Sequence, residues 1–249
     1  MTLDFCPAPR IRSYIGRRID HPRDDVRHFF IGDVHGCARE FDQLLKASSY
    51  MQGEDKLYLT GDAFTKGPDP LEVWRIIGTT GAQMVLGNHD VALLERLQAR
   101  QEGADESDLK ESHKHTLDQL DPVAAALILW LEFVPLSIRE LGFTLVHAGV
   151  NPERGFDRTR REEFLAIRTW PTTNGIEGPR WHDHYTPPDG RTLIFGHDAP
   201  NGRVIKRENP DVPPYLVGLD TGCVYGGRLT AWILEDDDII DVEAREKYA

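Results

Sequence analysis

Asp33 and His35, a carboxylate and an imidazole two residues apart, are the first side chains in this sequence whose types and spacing could do chemistry. They follow the apolar run His28–Ile31, and side chains two apart on a strand point the same way. Such a pair supplies two ligands of a metal site. A strand-end aspartate near a histidine is also a common structural outcome, so the pair alone is a weak indication.

Four later motifs repeat this arrangement of a glycine beside a carboxylate, amide or imidazole, and most of them follow a short apolar run. Their donors are all oxygen or nitrogen, which suits Mn²⁺, Fe²⁺ or Zn²⁺ and does not select among them. The candidate metal ligands are Asp33, His35, Asp62, Asn88, His147 and His197.

Two metal ions a few ångströms apart need a shared anion, and Asp62 is the candidate bridge. The first pair would complete one metal, and the later amide and imidazoles would complete the other. Two such ions acidify a bridging water and hold phosphate oxygens for attack. His89 directly follows a ligand and is not needed as one, so it could protonate the leaving oxygen.

The elements that must position these ligands follow a strand–motif–helix order three times. This order is typical of βαβ units with ligands at the carboxyl ends of strands. Alternating and helical apolar spacing predict strands and helices at Val26–Ile31, Cys37–Ser48, Lys56–Thr60, Asp69–Ile77, Gln83–Leu86 and Val91–Leu97.

The second half predicts a helical excursion over about 101–132, polar at 101–121 and apolar at Pro122–Leu131, then strands, with a long loop at 171–191. We expect Arg168 on a short helix, Glu162–Thr169. The predicted strands are Val134–Ile138, Phe143–Val146, Thr192–Phe195, Tyr215–Leu219, Leu229–Leu234 and the edge segment Ile239–Val242. We expect residues 1–25 to form an N-terminal arm, and 26–249 to form one domain.

Composition bounds the function classes. The chain has 249 residues and a formal net charge of −12, which disfavours non-specific binding to nucleic acid. It contains no apolar run long enough to span a bilayer, so no membrane partner is expected. Cys6, Cys37 and Cys223 are few and far apart, which fits a reducing cytoplasm. Oligomeric state is left open.

The five motifs together resemble those of the calcineurin-like metallophosphoesterases, in their phosphoprotein-phosphatase branch. The family pattern is GDxHG, GDxVDRG, GNHE and two separated histidines. The resemblance implies an α/β fold, a β-sandwich of mixed sheets flanked by helices, with two divalent metals on the six ligands and His89 as the acid. The matching strings are GDVHG at 32–36, GDAFTKG at 61–67, GNHD at 87–90, HAG at 147–149 and GH at 196–197.

Departures from that pattern look like the ApaH-type branch, which holds symmetrical diadenosine-tetraphosphate hydrolases and ApaH-like phosphatases. Thr65 and Lys66 stand where phosphoprotein phosphatases have Asp and Arg, and Asp90 stands for Glu. Without that Asp, His89 should be a weaker acid, which a phosphoanhydride tolerates because phosphate is already a good leaving group. Arg168 matches a family arginine that holds substrate phosphate.

The function we expect is hydrolysis of phosphoanhydrides by attack of a metal-bridged hydroxide. Candidate substrates are dinucleoside polyphosphates such as diadenosine tetraphosphate, polyphosphate or capped-RNA ends. We expect Mn²⁺, with Fe²⁺, Zn²⁺ or Co²⁺ as alternatives. The alternative enzyme is a Ser/Thr or dual-specificity protein phosphatase. A catalytically silent binding or scaffold protein is the rival from another class.

Further residues have two interpretations each. His89, Arg168 and Lys66 are the candidate catalytic residues, and Lys66, Asn88, Arg168 and Tyr225 the candidate substrate contacts. Trp170, Trp181 and Tyr225 could stack on a nucleobase, although packing is the default. The string Trp181-His182-Asp183-His184 is expected to be a substrate-facing loop or plain surface. Cys37 and Cys223 are expected to be small buried residues.

Overall fold

A computed structural model describes residues 26–140, 142–173, 175–186 and 190–249. The predicted arm at 1–25 lies outside this range. The described helices are α1 (Ala38–Ala47), α2 (Pro70–Thr80), α3 (Asn88–Gln101), α4 (Glu111–Leu120), α5 (Ala124–Phe133) and α6 (Arg161–Ala166). The strands are β1 (His28–Ile31), β2 (Lys56–Leu59), β3 (Gln83–Met84), β4 (Ser137–Glu140), β5 (Phe143–Val146), β6 (Thr192–Phe195), β7 (Val204–Lys206), β8 (Leu216–Gly218), β9 (Arg228–Ile233) and β10 (Asp238–Glu243).

The strands form two mixed sheets with a similar plan. The first has the order β10-β9-β1-β2-β3, in which β1, β2 and β3 are parallel and β9 runs against β1. The second has the order β4-β5-β6-β8-β7, in which β5, β6 and β8 are parallel. Three parallel strands form one side of the first sheet and the centre of the second, and in each sheet their carboxyl ends point to one edge.

The two sheets pack face to face through large buried side chains. Phe30 of β1 contacts Phe143 of β5 edge to face, with ring centroids 4.7 Å apart, and Tyr58 of β2 lies 5.1 Å from the same ring. Val217 and Trp232 belong to the same buried cluster. This interface buries apolar surface from both sheets, and such burial is the main stabilising contribution in a core.

Helices cover the outer faces, which completes a layered α-β-β-α arrangement. Buried residues of α1 to α5, such as Phe41 and Leu127, pack on the first sheet. Phe164 of α6 and Trp181 pack on the second. This confirms the predicted mixed α/β sandwich flanked by helices. Within the described ranges, no helix is long and apolar enough to cross a membrane.

Four local predictions were wrong, and the first is the strand Val134–Ile138, which lies at Ser137–Glu140 because α5 ends only at Phe133 and Val134 is its C-cap. The third strand is only Gln83–Met84, and α3 begins at Asn88 rather than near Val91. Asp90 accounts for this early start, because its carboxylate accepts a bond from the Gly87 N–H and caps the helix. Arg168 lies beyond the end of α6, since its N–H donates to Thr173 O in the following loop.

Candidate metal centre

All six candidate ligands lie where the parallel strands of the two sheets end. Asp33 and His35 follow β1, Asp62 follows β2, and Asn88 opens α3. His147 and His197 follow β5 and β6 of the second sheet. The fold therefore joins the carboxyl edges of both sheets at one place, as the sequence pattern predicts for parallel strands. A cavity of about 500 Å³ opens there.

Asp62 lies at the middle of this group. Its Oδ2 is 3.7 Å from His35 Nε2 on one side and 3.6 Å from His147 Nε2 on the other. Its Oδ1 accepts a hydrogen bond from the His89 N–H at 2.8 Å. Two overlapping groups of potential ligand atoms share this carboxylate, one with His35 and His89 and one with His147 and His197. This position fits the bridge that the sequence predicts.

Asp33 is held by the second sheet as well as the first. Its Oδ1 accepts from Thr60 Oγ1 at 2.8 Å, and both carboxylate oxygens lie 3.1–3.2 Å from the His197 N–H. A β-carbon added at Gly196 would lie 2.0 Å from Asp33 Oδ1. Only glycine therefore allows the second sheet to approach this carboxylate so closely.

The turns that carry these ligands adopt an unusual backbone conformation. His35, Asp62, Lys66 and His197 have positive φ angles of 46°, 52°, 71° and 66°. Non-glycine residues rarely adopt this region, and it costs of order 1–3 kcal/mol each when it persists. Such strain clusters where function needs a fixed side-chain direction, and here four neighbouring site residues share it.

The histidine contacts leave one ring nitrogen of each directed at the centre. His147 Nδ1 donates to Thr60 O at 2.8 Å, so its Nε2 carries the lone pair, 3.1 Å from Asn88 Oδ1. Two acceptors that face each other this closely are stabilised by a cation between them. His197 Nε2 is buried and, among the described residues, has no hydrogen-bond partner. Both features fit metal ligation.

Protonation at the centre is also suited to a metal. Burial lowers the pKa of His35, His147 and His197, so these imidazoles are neutral near pH 7. Burial opposes ionisation of Asp62, but the surrounding histidines outweigh it and hold its pKa below the ordinary range. Burial, Asp220 and Asp62 raise the pKa of Asp33, which is the response of a carboxylate that lacks a nearby positive charge. Neutral imidazoles and anionic carboxylates are the forms that bind metal.

The candidate substrate contacts lie in the same cavity. Lys66 Nζ donates to His35 Nε2 at 3.1 Å and lies 5.3 Å from the centroid of the Tyr225 ring. Arg168 donates through its NH2 group to His197 O at 3.1 Å. His89, Arg168, Lys66 and Tyr225 all line the cavity, and Asn88 is the exception, because it lies outside the lining and next to His147.

His89 lies near the Asp62 carboxylate, but its ring is not hydrogen-bonded to it. Among the residues that the structure describes, none with a carboxylate side chain hydrogen-bonds its ring. Burial lowers the pKa of His89 to about 4. Thr65, which the sequence argument placed beside this acid, instead has its hydroxyl 3.3 Å from His35 Nδ1. Asp90 points away from the cavity and accepts bonds from the N–H groups of Asp62 and Ala63.

Sequence reasoning missed two aspartates at this site. Asp220 lines the cavity after β8, and its Oδ1 accepts from the Gly222 N–H at 3.0 Å. Its signal was present, because Asp220 also follows a predicted strand and precedes a glycine. Asp198 lies under the arginines, with Oδ2 3.1 Å from Arg180 Nε and Oδ1 3.9 Å from Arg168 Nε. Only its position next to His197 could have drawn attention to it.

Other predictions fall outside the centre. Trp181 is fully buried and His182 nearly so, at 0% and 4% exposure, whereas Asp183 and His184 are exposed, so the surface prediction is wrong for the first half of this string and confirmed for the second. Trp181 packs against Tyr185 and Phe195, which excludes it as a stacking platform. Cys37 and Cys223 are buried as predicted, in a group with Glu40 whose polar atoms lie within 4.8 Å of one another. Glu40 Oε1 is already engaged by the Tyr248 hydroxyl at 2.8 Å.

The chain is similar to known proteins that are named as phosphoesterases or nucleoside polyphosphate hydrolases. The calcineurin-like phosphoesterase family profile matches residues 26–227. The symmetrical bis(5'-nucleosyl)-tetraphosphatase of Edwardsiella ictaluri is 30% identical over 86% of this chain and 95% of its own length. The protein of the same name from Neisseria gonorrhoeae is 28% identical over 88% of this chain and 96% of its own.

Solved structures agree. The crystal structure of a candidate diadenosine tetraphosphatase superposes with a TM-score of 0.69 at 31% identity, over 90% of this chain and 96% of that one. A serine/threonine phosphatase from Saccharomyces cerevisiae shares the fold, with a TM-score of 0.57 at 14% identity, over 89% and 80% of the two chains.

Proposed function

The chain belongs to the calcineurin-like phosphoesterase family and is a hydrolase of phosphate esters or anhydrides; on this premise, we propose that it cleaves the phosphoanhydrides of dinucleoside polyphosphates, such as diadenosine tetraphosphate. The relatives at 28–30% identity are named for that substrate class. We assign hydrolysis of that substrate class to this chain's own site, with a pair of divalent metal ions as the cofactor.

The chain's residues suit two ions. Asp33 and His35 would hold one, Asn88, His147 and His197 would hold the other, and Asp62 would join both. When bound, the ions supply an acidified water and neutralise phosphate charge. The donors are all nitrogen and oxygen, so Mn²⁺ is our choice, with Fe²⁺, Zn²⁺ and Co²⁺ as alternatives.

The protein side chains would bind and orient the phosphates. A metal on His35 Nε2 would replace the bond from Lys66, whose ammonium would then be free for a substrate oxygen. Arg168 is fixed beside His197 and offers a planar fork to a phosphate. Lys66 is a mobile point charge, which suits a flexible polyphosphate chain.

The observation that carries the choice of an anhydride is the environment of His89. Its pKa of about 4 and the lack of a carboxylate on its ring, in the described part of the chain, make it a poor proton donor at neutral pH. A serine alkoxide needs a proton to leave, whereas a phosphate or nucleotide leaves as a stable anion. The site therefore favours leaving groups that need little acid assistance.

A substrate panel tests this choice. Mn²⁺-loaded protein is assayed on diadenosine tetraphosphate, inorganic tetraphosphate, a phosphoserine peptide and an aryl phosphate, and the values of kcat/KM are compared. We expect the dinucleotide to be the best substrate. We also expect His89→Ala to reduce hydrolysis of the phosphoserine peptide more than that of the dinucleotide. A wild-type preference for the phosphopeptide would overturn the proposal in favour of a protein phosphatase.

A further inference from the structure

Two large, exposed apolar side chains line the cavity of the metal centre, beside charged, polar and small apolar residues. Ile176 is 64% exposed and Tyr225 is 47% exposed. Among the described residues, the remaining large apolar side chains with such exposure lie outside this cavity. Exposed apolar groups are ordinary when scattered, but two that face one charged cavity indicate a ligand with an apolar part.

Both side chains are held in place rather than carried on free loops. The carbonyl of Ile176 accepts a hydrogen bond from Arg180 at 2.8 Å, and Arg180 Nε lies 3.1 Å from Asp198, which directly follows His197. Tyr225 ends the short 3₁₀ segment Cys223–Tyr225, whose other two members are buried. The apolar pair is therefore tied to the metal centre through short contacts.

Positive charge lies directly beside this apolar surface. Lys66 Nζ is 5.3 Å from the centroid of the Tyr225 ring, and Arg168 lines the same cavity. A ligand that fills this space should contain a flat apolar group and a phosphate that are separated by only a few bonds. A nucleoside phosphate has this chemistry, whereas inorganic polyphosphate lacks the apolar part.

We propose that Ile176 and Tyr225 form a nucleobase subsite of the metal centre, which takes the base nearest the cleaved phosphates. The inference deepens the proposed function and rests on it for the identity of the substrate. Base stacking depends on area and not on hydrogen-bond pattern, so the subsite should accept purines with little preference between them. Its role is to raise the affinity for nucleotides above that for bare phosphate chains.

The test compares two substrates in matched variants. The values of kcat/KM for diadenosine tetraphosphate and inorganic tetraphosphate are measured with Mn²⁺-loaded wild type, Ile176→Ala, Tyr225→Ala and Tyr225→Phe. We expect the dinucleotide-to-inorganic ratio to fall about 5- to 150-fold in either alanine variant, the range of a lost base stack at Tyr225 and of lost apolar burial at Ile176. Tyr225→Phe keeps the ring and should keep most of the ratio.

Ile205→Ala is the matched control, because Ile205 is also an exposed isoleucine, at 38%, and lies outside the cavity on β7. It should leave the ratio at its wild-type value. An unchanged ratio in Ile176→Ala, or an equal fall in Ile205→Ala, would overturn the subsite.

A second measurement separates this inference from the proposed function. AMP and inorganic phosphate are compared as inhibitors of aryl phosphate hydrolysis. AMP should inhibit wild type more strongly than phosphate does, and Ile176→Ala should remove most of that difference. If wild type fails to cleave dinucleotides yet shows this AMP effect, the proposed function fails and the subsite stands. Equal inhibition by both would remove the subsite whatever the substrate panel shows.

Discussion

At the scale of single residues, Asp62 has the most demanding position. It is 1% exposed, carries a positive φ angle of 52°, and lies between imidazoles of both sheets. An isolated buried carboxylate would be costly, and it becomes favourable only with partners of opposite charge. The histidines around it hold its pKa below the ordinary range, while burial lowers their own pKa values, so a bound dication would supply positive charge that neutral imidazoles lack.

The first prediction replaces this charge. Asp62→Asn should remove most bound metal and nearly all activity, because a neutral oxygen cannot neutralise two dications. Bound metal is measured by elemental analysis and turnover with an aryl phosphate. Asp157→Asn is the control, since this aspartate has a side chain 88% exposed. Near-wild-type turnover in folded Asp62→Asn protein would contradict a shared bridge.

The second prediction concerns Arg168. Charge-assisted hydrogen bonds are worth about 1.5–3 kcal/mol, so Arg168→Ala should lower kcat/KM about 10- to 150-fold. Metal content should stay at the wild-type level, because no guanidinium binds a cation. Arg203→Ala, an arginine 43% exposed on the surface, serves as the control. Loss of metal would instead assign Arg168 a structural role beneath His197.

At the scale of elements, the turns after the strands decide where the ligands point. The sequence predicts the strand–motif–helix order because apolar periodicity and strand-end polar residues are local signals. It does not predict the direction of the Arg168 side chain or its proximity to the Asp198 carboxylate. Both depend on how the long loop contacts the second sheet. Thr65 gives a second example. Its hydroxyl lies next to the His35 ring because His35 has a positive φ angle, and no local sequence pattern predicts that backbone conformation.

The third prediction tests the close approach of Gly196, after β6 of the second sheet, to the Asp33 carboxylate. Gly196→Ala would place a β-carbon 2.0 Å from Asp33 Oδ1, so the carboxylate or the strand end must move. We expect weaker metal binding and a loss of activity. Gly78→Ala is the matched control, because its β-carbon would meet nothing within 4 Å in the last turn of α2, where alanine is the better helix former. Equal metal affinity in the two variants would show that the approach at Gly196 is not needed.

At the scale of the whole molecule, the candidate ligands come from both sheets. Four follow strands of the first sheet and two follow strands of the second. The ions would therefore add a cross-link between layers that already meet through side-chain packing and through hydrogen bonds such as the one from the His197 N–H to Asp33. Ligand binding to the native state alone stabilises that state by mass action.

The fourth prediction follows from this cross-link. At a free metal concentration of about 100 times the dissociation constant, the native state gains about 2.7 kcal/mol, which raises Tm by roughly 5–10 °C for a chain of this size. Thermal unfolding is followed by circular dichroism after chelation and after re-addition of Mn²⁺. Asp62→Asn should show little response to the metal. A Tm that is identical with and without metal in wild type would contradict the cross-link.

The buried pair of thiols, Cys37 and Cys223, has a consequence for how the cavity wall can be observed. Cys37 directly follows the first ligand turn, Cys223 lies in the loop that carries Tyr225, and the two are 0% and 1% exposed. An alkylating reagent can reach them only when these two segments separate. The rate of labelling, resolved by peptide, would therefore measure the rate of local opening of the cavity wall. Bound metal and nucleotide should lower this labelling rate. The opening of the site could then be measured through its own thiols, without an added reporter group.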